Sequence, residues 1–210
     1  MRGAAWAWGW LALPAALAPG CTFTADDLAR PPEPGSGAPA RVVLFRGSGE
    51  VFSSGLDEIA VRLTAAGTPA TVLPSLSGGL ARLPADGPLV LGGHSAGAFN
   101  AVRHALHAKR PVDLLLLFDP PLGRPMPIPV NVRRVVVMRG WPAEVRPAHP
   151  STRVEVVELG SGVPVLGGLW DRTLGHLGVT SDPRAVAAAM RAVAETLAPV
   201  SPTPLSRKVG

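Results

Sequence analysis

An α/β domain, with a mostly parallel central sheet of about six strands, flanking helices and a minimal lid, is the fold class that this 210-residue sequence predicts. Three observations predict it. From residue 40 onward, short apolar runs alternate with longer helix-like stretches, as a parallel sheet with helical crossovers requires. Several of those runs are continuously apolar, as strands buried on both faces are. Finally, Pro88-Leu89-Val90-Leu91 leads into Gly93-His94-Ser95-Ala96-Gly97 and then into an alanine-rich stretch, which reads as strand, sharp turn and helix.

In chain order, the strands are expected at residues 41–45, 70–73, 89–92, 112–118, 132–138 and 154–159. The clearest central strands are Leu114-Leu115-Leu116-Leu117-Phe118 and Val135-Val136-Val137-Met138. The first helix has Leu56, Ile59, Ala60 and Leu63 on one face, with Ser54 as its expected cap and Asp57 three residues on. A second helix is expected over 96–109. A third runs from Pro183, which suits a first helical turn after Ser181 and Asp182, to Leu197, with a core stripe of Val186, Met190, Val193 and Leu197.

The ends read differently. Residues 1–20 look like an export signal: Met1-Arg2-Gly3 precedes an apolar run over 4–18 that is too short to span a bilayer comfortably. Leu17-Ala18-Pro19-Gly20-Cys21 resembles a bacterial lipobox, from which Cys21 would be lipidated and would become the mature N-terminus. Pro19 and the early leucine depart from that pattern, and an ordinary small residue at 21 is the competing reading. The expected address is the bacterial cell envelope, facing the periplasm, with membrane association through that anchor. Residues 21–39 are rich in proline and glycine and read as a tether, 40–198 as the single domain, and 199–210 as a frayed tail.

Composition narrows the partners. The net charge is +5 and the pI near 10.9, yet the arginines are scattered over both halves and no basic run alternates with aromatics, so nucleic acid is not an expected partner. Cys21 is the sole cysteine, which excludes an internal disulfide and a thiolate metal cluster. No cofactor or metal is expected, and the chain is expected to be a monomer.

A serine hydroxyl is a poor nucleophile near neutral pH and needs an imidazole base, itself oriented by a carboxylate. Asp119 follows the strongest strand, where open α/β sheets build their sites, and Pro120 and Pro121 turn the chain away behind it. Of five histidines, His94 lies inside the turn and reads as a packing or hydrogen-bonding neighbour. His104 and His107 fall on the helix behind it, and His149 in a proline-rich loop. That leaves His176, in Leu174-Gly175-His176-Leu177-Gly178, between the last strand and the last helix. An oxyanion formed on acyl transfer needs backbone donors, for which the amide of Ala96 and that of Gly47 or Ser48 are the candidates. The glycine-rich loop over 46–55 lacks the Gly-Lys-Ser/Thr ending of a phosphate loop.

With Ser95, Asp119 and His176 in that order, the chain resembles the α/β-hydrolase superfamily over about residues 40–197, and within it small bacterial serine hydrolases of lipase or thioesterase-like kind. The resemblance implies an acyl-enzyme on Ser95, His176 as base, Asp119 as its orienting acid, and a small acyl ester or thioester as substrate. In many members the acid follows the next strand, where Glu144 is the nearest carboxylate here; placement at 119 resembles thioesterase domains, and Asp171 is a further rival because it is close to His176. The loops at 120–129 and 160–175 are candidates to line an acyl site. Two other readings share this scaffold: a non-catalytic envelope lipoprotein that binds through it, and a transacylase with the same three residues.

Overall fold

The computed structural model describes residues 41–48, 50–75, 83, 85–121, 123–160 and 176–198. The expected export signal, Cys21, the tether, Asp171, nearly all of the 160–175 loop and the tail lie outside them.

Six strands form one sheet: β1 (Val42–Phe45), β2 (Ala70–Leu73), β3 (Val90–His94), β4 (Leu114–Phe118), β6 (Arg134–Arg139) and β8 (Arg153–Glu158). Their order is β2-β1-β3-β4-β6-β8, and every neighbouring pair is parallel. From β1 the chain steps to one side to make β2 and returns on the other to make β3. The order therefore reverses beside β1, the switch point at which such sheets open a crevice beyond their carboxyl ends. This is the expected α/β arrangement, a parallel sheet of six strands between helices.

The strands alternate faces, and the central strands β1, β3, β4 and β6 are buried on both faces over most of their length, while the edge strands β2 and β8 are partly exposed. Val43, Phe45, Leu91, Leu115, Leu117, Val135 and Val137 point to the face covered by helix α2 (Ala96–His107). Val42, Leu44, Val90, Leu114, Leu116, Phe118, Val136 and Met138 point to the face covered by α1 (Gly55–Ala65) and α3 (Pro183–Leu197). Each large side chain buried in this way contributes about 1.5–3 kcal/mol. On α3 the buried stripe is carried as much by Ala185, Ala188, Ala189 and Ala192 as by Val186 and Val193, with Met190 and Leu197 at its margin. Small residues let the helix lie close on the sheet.

Three local expectations change. Ser54 is not a side-chain cap: it already has helical angles, φ −59° and ψ −27°, because the 3-10 turn Glu50–Ser53 runs straight into α1. A cap needs an extended backbone for its oxygen to reach the first amides, and Asp57 turns instead to Arg46 at 2.6 Å. Helix α2 stops at His107 rather than Lys109, since the Asn131 side-chain amide takes up the carbonyls of Ala105, Ala108 and Arg110 that end it. And part of the 120–129 loop is a short strand, β5 (Met126–Ile128), paired in parallel with β7 (Val145–Pro147). Met126 and Ile128 belong to the core beneath α2 and so do not line an acyl site.

The turn between β3 and α2 is held by its two glycines. A Cβ on Gly93 would lie 2.1 Å from the Gly97 carbonyl oxygen, and a Cβ on Gly97 2.1 Å from that of Phe45. Only glycine lets the helix start press onto β3 and β1 together. Among the described residues no helix is long and apolar enough to cross a membrane.

Candidate active site

Ser95 sits between β3 and α2 with φ 52° and ψ −121°, a conformation that costs an L-residue of order 1–3 kcal/mol. The sheet holds it there, because its amide continues the ladder onto the Phe118 carbonyl at 2.9 Å. Asp119, at the end of the adjacent β4, has φ 43° and donates its amide to the Met138 carbonyl at 2.8 Å. Among the described residues these two are the only non-glycines with positive φ. Both lie at the carboxyl edge of the sheet.

His176 arrives from the other end of the chain, at the start of the segment leading to α3. Its Nε2 lies 3.1 Å from Ser95 Oγ, and its Nδ1 lies 3.4 Å from Asp119 Oδ2. The three side chains are largely or wholly shielded from water, with Asp119 at 0% exposure, Ser95 at 5% and His176 at 9%. This spacing lets an imidazole accept a hydroxyl proton at Nε2 while a carboxylate accepts from Nδ1–H, which is chemistry that can activate a serine for attack on a carbonyl.

The second carboxylate oxygen is also engaged. Asp119 Oδ1 accepts from the amides of Gly140 at 2.7 Å and Trp141 at 3.4 Å, just beyond β6. The Trp141 indole then donates to the Pro120 carbonyl at 3.0 Å, and its ring stacks on His176 with centroids 3.9 Å apart and planes 19° apart. Arg139 braces this turn through the Ala143 carbonyl at 2.6 Å and Glu158 on β8. The rival acid Glu144 is exposed, gives its carbonyl to Met126, and makes no side-chain bond to His176.

The loop after β1 lies against Ser95: a Cβ on Gly47 would be 3.1 Å from His94 Nδ1 and 3.2 Å from Ser95 Cβ. The amide of Gly47 is already spent, donating to Ser53 Oγ at 2.9 Å. Of the two loop candidates for an oxyanion donor, this leaves Ser48, which is exposed. Ala96 is the first residue of α2, and amides at a helix start have no partner within the helix.

Two of the remaining histidines, His104 and His149, lie elsewhere. His104 is buried under α2 against Phe45, with ring centroids 4.4 Å apart. His149 is exposed and pairs with Ser151. His94 is a hydrogen-bonding neighbour, as expected, but its partners are Ser53 and the main chain of His176 itself. Sequence reasoning missed Ser53 and Trp141. Trp141 was detectable, because it follows a central strand at the same sheet edge as Asp119; Ser53 carries no local signal in Phe52-Ser53-Ser54. Among the described residues no three His, Cys, Asp or Glu side chains converge as a metal-binding group.

Neither a family model nor a curated protein sequence matches the chain. A crystal structure from Xanthomonas campestris pv. campestris, of a protein assigned as a hydrolase of the alpha/beta superfamily, is similar at 21% identity, covering 72% of this chain and 98% of that one, with a TM-score of 0.38.

Proposed function

We propose that this protein is a serine hydrolase that cleaves a carboxylic ester or thioester through an acyl-enzyme on Ser95. The observation that carries the reading is the continuous line Ser95 Oγ, His176 Nε2, His176 Nδ1 and Asp119 Oδ2, at 3.1 and 3.4 Å, on a strained turn in front of a helix start. Structural packing alone does not require two positive-φ residues to meet one histidine.

Ser95 Oγ attacks the acyl carbon while His176 takes its proton at Nε2. The oxyanion is met by the amide of Ala96 and by that of Ser48, since Gly47 is committed to Ser53. The imidazolium gives the proton to the departing alcohol or thiol; the neutral ring then takes one from the water that attacks the acyl-enzyme and passes it to Ser95 Oγ as the carboxylic acid leaves. Asp119 keeps Nδ1 protonated throughout. Phe52 and Val51, exposed at 45% and 72% on the 3-10 turn that follows Ser48, offer an apolar lip for the acyl group. The envelope address and a lipid on Cys21 belong to the same reading and rest on the sequence of the first 21 residues.

Hydrolysis of p-nitrophenyl esters and acyl thioesters of graded chain length tests it. The reading expects turnover that Ser95→Ala lowers by about 10³-fold or more. A folded wild type that hydrolyses none of these substrates, or a Ser95→Ala variant as active as wild type, contradicts it. Loss of palmitate labelling in Cys21→Ala checks the anchor separately.

A further inference from the structure

The His176–Asp119 contact, at 3.4 Å, is long for a hydrogen bond that must by itself aim a base at a serine. A second set of contacts reaches the main chain of His176. His94 Nε2 lies 3.0 Å from the His176 carbonyl oxygen, His94 Nδ1 lies 2.8 Å from Ser53 Oγ, and Ser53 Oγ lies 2.9 Å from the Gly47 amide nitrogen. Ser53 is wholly buried and His94 is 2% exposed.

The direction of each bond follows from the chemistry. A carbonyl only accepts, so His94 Nε2 carries hydrogen. Burial, and after it the neighbouring His176 ring, push the His94 pKa down to about 3, against an opposing contribution from the His176 carbonyl. The ring is therefore neutral and its Nδ1 is a bare lone pair. The Ser53 hydroxyl must donate to that lone pair, and its oxygen accepts from Gly47. A single polarised chain thus runs from the loop after β1, through the residue preceding the nucleophile, to the backbone of the base. No member is left unpaired.

We propose that His94 is a positioning residue for the general base: its Nε2–H holds the His176 main chain, and its Nδ1 ties that anchor through Ser53 to the loop that carries Gly47 and Ser48. The proposal rests on the serine-hydrolase reading. Base and oxyanion donors then keep one mutual geometry, although 82 residues separate His94 from His176 and 41 separate Ser53 from His94. His94 transfers no proton in the reaction.

The test compares kcat and KM for p-nitrophenyl acetate, together with the rate of fluorophosphonate labelling, in wild type, His94→Phe, His94→Gln and Ser53→Ala, with melting curves recorded for each. His94→Phe is expected to lower kcat by about 10- to 100-fold with KM within about twofold, and to slow labelling in proportion. His94→Gln, whose side-chain amide can reach the same carbonyl, is expected to recover much of that loss. Ser53→Ala is expected to lower kcat by roughly threefold to tenfold at constant KM. A folded His94→Phe with wild-type kcat, a loss confined to KM, or no recovery in His94→Gln overturns the proposal. If His94→Phe fails to fold, Ser53→Ala decides, and wild-type kcat there overturns it. A wild type that neither hydrolyses nor labels overturns the hydrolase reading and this proposal together; an active wild type with indifferent variants overturns this proposal alone.

Discussion

Asp119 shows how much one side chain is asked to do at this sheet edge. Its backbone is strained at φ 43°, one carboxylate oxygen takes two amides, and the other faces His176 Nδ1. In Asp119→Asn one carboxamide oxygen can still accept from Gly140, which turns the NH₂ group toward an Nδ1–H. Two donors then meet, the imidazole tautomer inverts, and Nε2 no longer accepts from Ser95. The expected result is a fall in kcat of about 10³- to 10⁴-fold with the fold intact, read by steady-state kinetics and circular dichroism. Trp141→Leu keeps the main-chain amide on Asp119 but removes the ring stacked on His176, and should cost about tenfold in kcat, with KM little changed. At this scale the meeting of three side chains was readable from their order along the chain: Ser95 in its glycine frame, Asp119 after the strongest strand, His176 before the last helix. Ser53 and His94 were not readable as partners, because their link to His176 is a main-chain carbonyl, which leaves no mark on residue type.

The elements that bury both faces were legible for a different reason. A five-residue apolar run such as Leu114–Phe118 is too short for a buried helix and reads as a central strand, and β4 is buried along its whole length. Boundaries and caps were less legible: Ser54 lost its capping role to a preceding 3-10 turn, and the end of α2 was set by Asn131, some 20 residues downstream. β5 and β7 escaped notice because each is three residues long and contains a proline. The packing of α2 onto β3 and β1 makes a sharp prediction for the turn between them. Gly97→Ala places a methyl 2.1 Å from the Phe45 carbonyl oxygen, a fixed backbone atom, so the helix must lift. Destabilisation by about 3 kcal/mol or more is expected, measured as the shift of the urea midpoint at unchanged m. A variant with wild-type stability would mean that the turn is not packed as described.

For the molecule as a whole, two buried histidines weaken the fold as the pH falls below neutral. Burial, and after it the His176 ring, hold His94 near a pKa of about 3; burial, opposed by the Asn100 carbonyl and aided by Arg103 and His107, holds His104 at about 4. The unfolded chain takes up these protons as pH falls through about 6.5, whereas the folded chain takes them up only near 4 and 3. Stability is therefore full above pH 6.5 and declines below it, by about 2 kcal/mol for each histidine between pH 7 and 5. Urea titrations at those two pH values check the slope. Among the described residues His104 Nε2 is buried with no partner, so His104→Leu should remove one of the two contributions and leave a protein more stable than wild type at pH 5. The central claim, however, concerns Ser95, and the mass of the intact protein tests it most directly after exposure to a fluorophosphonate at neutral pH. One adduct per chain, mapped by peptide sequencing to Ser95, absent in Ser95→Ala and formed at least 100-fold more slowly in His176→Ala, is the predicted result. A folded wild type that gains no mass, or an adduct on any other residue, would contradict it.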